Sequence, residues 1–105
     1  MKYSPKYYDD FKEKFPEIAK GFSELAEASH EAGPLDLKSR RLVKLGIAIG
    51  IGSEGVIQSH VSQALDEGLT PEEIRHAIVQ AITTAGFPKM IETMALAKEV
   101  FDKKC

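Results

Sequence analysis

Cysteine occurs once in this chain, at position 105, so no disulfide can close within it and any bridge would join two chains. A lone thiol at the end of a chain reads as part of a frayed terminus. Neither sign of charge is in excess: 14 Lys and Arg against 16 Asp and Glu leave a formal net charge of -2. No positive field draws in a phosphate backbone and no nucleic-acid motif occurs, so nucleic acid is not an expected partner. Long apolar runs are also missing. The longest, Leu45 to Gly52, is far shorter than the roughly 20 residues that a bilayer crossing needs. The opening stretch MKYSPKYYDDFKEKF carries charge where a secretion signal has its apolar region, so no membrane association and a cytoplasmic location are expected. No His, Cys, Asp or Glu grouping has metal-ligand spacing, and His60 has no histidine at a partnering helical offset; neither a metal nor another cofactor is expected.

What is present is a globular composition, 43% hydrophobic over 105 residues, read as a single domain over 1–105 whose core is small for its surface. The periodicity is helical throughout and predicts an all-α bundle of about six helices. Ser4-Pro5 starts a first helix in which Tyr7, Tyr8, Phe11 and Phe15 recur at helical spacing. From Pro16 to Ala32, Ile18, Phe22, Leu25 and Ala26 keep to one face, and Gly33-Pro34 ends the run. Asp36 caps a third helix from Leu37. Its apolar segment LGIAIGIG alternates like a buried strand, but a lone strand would leave its ladder groups unpaired, so helix is the cheaper assignment. Gly46 and Gly50 then share a face and permit close backbone approach. Ser53 caps a fourth helix to Asp66, stopped by Gly68. Thr70-Pro71-Glu72-Glu73 is a capping box with proline in the first turn, opening a fifth helix to about Ala85. Pro88 opens a last helix whose apolar stripe, including Met90, Ile91, Met94, Leu96 and Val100, is wider than one neighbour would cover.

The chemistry-bearing candidate is His60, on the inner side of the fourth helix. Imidazole titrates near neutrality, which suits proton transfer, although a lone histidine is more often a hydrogen-bonded core residue. Glu54 falls in the first turn of the same helix, where the macrodipole favours a carboxylate. Lys38, Arg41 and Lys44 repeat every third residue and form a basic edge, either an anchor for an anion or a solvated face.

Leu35-Asp36-x-Lys38-x-Arg40, His60-x-x-x-Ala64-x-x-x-Gly68, the Thr70-Pro71-Glu72-Glu73-Ile74 box and Gly86-x-Pro88 together resemble the carboxymuconolactone decarboxylase family, which includes the alkylhydroperoxidase D-like proteins. The resemblance covers about half of the chain, within a core region over 35–103 that follows N-terminal helices over 1–34. It implies the alkylhydroperoxidase D-like fold and a homo-oligomer, a trimer or hexamer. The family's redox branch places a Cys-x-x-Cys pair just before the histidine. Here those positions are Ser53 and Val56, and the branch's relay glutamate would align with Arg41. Neither Ser nor Val can form a sulfenic acid, so peroxide reduction by that route is not expected. The decarboxylase branch reads Gly-x-Glu followed by His, which Gly52, Glu54 and His60 match, while a further acid of that branch is Val56 here. The resemblance thus implies a carboxy-lyase, 4-carboxymuconolactone decarboxylase-like, acting on a small anionic molecule. His60 would protonate carbon as carbon dioxide leaves, Glu54 would orient the ring, and Arg41, Arg40 and Ser53 would hold the substrate. The alternative is an oligomeric binding or scaffold protein that kept the fold without the chemistry.

Overall fold

A computed structural model describes residues 5–105, and the Ser4 cap lies outside them. Every regular element among the described residues is helical: α1 Pro5–Lys14, α2 Pro16–Glu31, α3 Leu37–Ile51, α4 Glu54–Asp66, α5 Pro71–Val79 and α6 Phe87–Lys104, with a 3-10 turn at Gln80–Thr83. The chain divides into two units, one containing α1 and α2 and the other α3 to α6.

In the first unit α1 and α2 meet at Phe15, whose ring packs 5.7 Å from that of Phe11. Pro16 opens α2 in the first-turn position, where its missing N–H costs nothing. The amphipathic face expected of α2 is present as a pattern, yet Ile18, Phe22 and Leu25 are exposed and only Ala19 on α2 is buried.

In the second unit the segment Leu45–Gly52 resolves as helix, so each backbone group finds its partner within α3. Leu45, Val61, Ala64, Ile74, Ile78 and Ala97 are fully enclosed and join α3, α4, α5 and α6 in one core. Two polar ties hold α4 against α6: buried Gln58 donates to the carbonyl of Leu96 at 3.2 Å, and Lys104 Nζ reaches Ser62 Oγ at 2.8 Å and Asp66 Oδ1 at 2.6 Å. The stripe of α6 is only partly covered, with Met90, Ala97 and Val100 buried and Ile91 exposed.

Two expectations need correction. The fifth helix stops at Val79 and tightens into the 3-10 turn instead of running to Ala85. The amides of Thr84, Ala85 and Gly86 all converge on the carbonyl of Ala81, which winds the chain off the helix before Gly86 at φ 104°. Gly46 and Gly50 have no close neighbour within this chain, since a Cβ built on either would meet nothing within 4 Å, so the close approach that they permit is not used by α3 to α6. Gly52 is held by its backbone, at φ 81°, in the left-handed region that L side chains rarely adopt.

Candidate functional site around His60

The end of α4 sets the geometry. Gly68, at φ 93°, donates to the carbonyl of Leu65 at 3.1 Å, and Leu69 donates back to that of Ala64 at 3.0 Å. These paired bonds form a Schellman closure with Leu69 buried beneath it. Glu67 is thereby fixed as the last residue before the turn. His60, Gln63 and Glu67 follow spacings of three and seven residues, so they stand on one face of α4.

Arg41 of α3 reaches that face. Its guanidinium binds Glu67 in a fork, Nε to Oε1 at 2.7 Å and Nη2 to Oε2 at 2.8 Å, and Nη2 also donates to Gln63 Oε1 at 3.1 Å. Its Nη1 lies 2.6 Å from His60 Nδ1. Gln63 in turn donates to Ser59 Oγ at 3.0 Å. These contacts use four of arginine's five N–H bonds. Arg41 is 6% exposed. A charge so enclosed persists only when paired, and removing the partner of a buried pair costs about 3–5 kcal/mol. Of the basic edge expected on α3, Arg41 alone is buried, while Lys38 remains exposed. Arg41 points inward to α4, and Lys38 pairs at 3.9 Å with Glu73 of the capping box.

His60 itself is half-buried. Burial holds its pKa below the ordinary histidine value, the positive charges of Arg41 and Lys44 lower it further, and the carboxylate of Glu67 opposes them. The ring is thus biased toward its neutral form near pH 7.

The other residues expected at the site are spread around it. Ser53 is the N-cap of α4 by its backbone angles but makes no capping bond through its side chain. It lies on the same side of the helix as His60, roughly 10 Å before it. Glu54 is about 9 Å before His60 and roughly 120° around the helix, and it lines a separate hollow with Gly52, Lys89, Glu92 and Thr93. Arg40 is half-buried, about 100° around α3 from Arg41. The structure therefore joins His60 to Arg41 and leaves Glu54 off their face. Gln63 and Glu67 escape the reading from sequence alone. Their spacing from His60 is the available signal, but an acid at a helix end looks solvated until the facing helix is known.

Comparison with known proteins agrees with this architecture. A profile described as the carboxymuconolactone decarboxylase family matches residues 16–99. The crystal structure of apo-lpg0406, a carboxymuconolactone decarboxylase family protein from Legionella pneumophila, superposes with a TM-score of 0.80 at 27% identity, over 94% of this chain and 88% of that one. The nitrosuccinic acid decarboxylase of Metarhizium robertsii is 34% identical over 65% of this chain and 48% of its own length. The 4-carboxymuconolactone decarboxylase of Acinetobacter baylyi is 29% identical over 60% and 47%. This chain spans about half the length of those two enzymes. An uncharacterised protein of Methanocaldococcus jannaschii is 27% identical over 90% of this chain and 88% of its own length.

Proposed function

Because the chain belongs to the carboxymuconolactone decarboxylase family, we propose that it turns over a small anionic carboxylic acid or lactone, with release of carbon dioxide, at a site centred on His60. The observation that carries this reading is the His60–Arg41 contact of 2.6 Å, in which a half-buried imidazole is oriented by a buried, fully ion-paired guanidinium. Orientation of this kind is what a reacting group needs and what a merely packed ring does not. The two named decarboxylase relatives support the reaction class. A nitro group in one acid and a lactone in the other are oxygen-bearing electron acceptors, and the electron pair left by departing carbon dioxide needs such a sink. We extend that requirement to the substrate here.

In this reading Arg41 serves His60, and a substrate carboxylate is met by Arg40 and the Ser53 hydroxyl. Glu54 occupies the first turn of α4, where the macrodipole favours its charge, and has no direct part. The test is carbon dioxide release from a panel of small carboxylic acids that carry a carbonyl, lactone or nitro acceptor. One or more is expected to react and to stabilise the folded protein, by about 2.7 kcal/mol at 100 times its dissociation constant. A panel that neither reacts nor stabilises contradicts the reading.

The same proposal includes a homo-oligomer, a trimer or hexamer. Val43, Ile47 and Ile51 recur every fourth residue along α3 and are all exposed, beside the open Gly46 and Gly50. An apolar stripe of that kind on so small a chain supports an interface between copies.

A further inference from the structure

Arginine donates hydrogen bonds and accepts none. The 2.6 Å contact between Arg41 Nη1 and His60 Nδ1 therefore has a fixed direction: the lone pair of Nδ1 faces Arg41. A neutral imidazole with its lone pair on Nδ1 carries its proton on Nε2. Putting a second proton on Nδ1 would set two N–H groups and two cations against each other across that distance. The charged groups facing the ring are Arg41 and Lys44 from α3 and Glu67 from the end of α4. The single carboxylate is already held by both of its oxygens on Arg41. In this state Nδ1 is occupied and Nε2 is protonated, so the ring has no free base, and it has no spare proton to release without becoming an imidazolate.

Resting on the decarboxylation reading above, we propose that His60 acts as a neutral hydrogen-bond donor through Nε2–H, stabilising an oxyanion, with Arg41 and Glu67 as the positioning residues that lock this tautomer. This changes the role expected of His60 from sequence, which was delivery of a proton to carbon. The carbon–carboxylate bond breaks and carbon dioxide leaves. The electron pair passes to the acceptor oxygen, where the Nε2–H bond stabilises the enolate or nitronate as its charge grows. Water then protonates the carbon and hydroxide is released. A neutral histidine serves as such an electrophile when its pKa is held below the working pH. Burial and the cations of α3 do this for His60.

The test begins with the wild-type protein and needs no substrate. In ¹⁵N-histidine NMR, with the His60 signals identified by their loss in His60→Gln, the ring is expected as the Nε2–H tautomer at pH 7, and it should remain neutral below pH 6.5. An Nδ1–H tautomer, or an imidazolium at pH 7, overturns the inference even if an acid is turned over. Conversely, failure of every acid to react defeats the decarboxylation reading while this spectrum still decides the tautomer. With a reactive acid in hand, His60→Gln, which keeps an N–H donor, is expected to stay within about tenfold of wild type. His60→Ala should lose roughly 10²- to 10³-fold, as for removal of one oxyanion donor. Equal loss in both variants, with a wild-type rate that follows an ionisation near 6.5, restores proton transfer and overturns the proposal. Arg41→Met is expected to raise the His60 pKa and to mix its tautomers. An unchanged spectrum in folded Arg41→Met removes Arg41 from the positioning role.

Discussion

Glu67 carries two duties at once, neutralising a buried arginine and, through it, fixing the ring of His60. Its side chain is 22% exposed, so Glu67→Gln should cost toward the lower end of the buried-pair range, about 3 kcal/mol in urea unfolding. A loss under 0.5 kcal/mol would show that Arg41 finds another partner. The lowered pKa of His60 adds a pH dependence with a definite sign. Below about pH 6.5 the unfolded chain takes up a proton that the folded chain resists, so stability is whole above that pH and falls as pH drops toward the lowered folded value. His60→Gln should remove this component. Its stability, measured by urea titration, is expected to fall less than that of wild type between pH 7 and 5, and parallel losses would contradict the assignment. At this scale the sequence is only partly legible. His60 stands out because imidazole is rare here and lies on an inner face. Arg41 looks like one member of a basic edge, because a repeat of three cannot tell which side of α3 another helix will cover.

The start of α5 is where sequence and structure agree most closely. The Thr70 hydroxyl accepts from the amide of Glu73 at 3.1 Å and the Glu73 carboxylate accepts from the amide of Thr70 at 2.9 Å, as the capping box requires. Thr70→Ala is expected to cost about 1 kcal/mol in thermal or urea unfolding. These signals are local, so they are readable without tertiary knowledge. The early end of α5 is not, because the consecutive β-branched residues Ile82, Thr83 and Thr84 lower helix propensity only slightly, and the convergence of amides on Ala81 is a tertiary outcome. Element ends also reach the site. Gly68→Ala would place a Cβ at φ 93°, a conformation costing roughly 1–2 kcal/mol for an L-residue, and would shift Glu67 beside it. The expected result is a loss of that size, together with a His60 pKa displaced from its wild-type value in NMR titration.

For the whole molecule, the helical pattern and the family resemblance make the fold class legible, and the all-helical architecture bears this out. The direction of the apolar faces is less legible, since periodicity shows that a face exists without showing what covers it. The exposed stripe of Val43, Ile47 and Ile51 is the plainest case. If it is an interface between copies, Ile47→Glu should lower the mass seen by native mass spectrometry, and an unchanged assembly would place the interface elsewhere. No helix among the described residues is long and apolar enough to cross a membrane.

The most direct test compares carbon dioxide release by wild-type protein and by His60→Ala, matched for helicity and assembly, on whichever acid of the panel reacts. A rate about 100-fold or more lower in the variant is the expected outcome. Rates within about twofold of each other would mean that the imidazole held by Arg41 has no part in the chemistry.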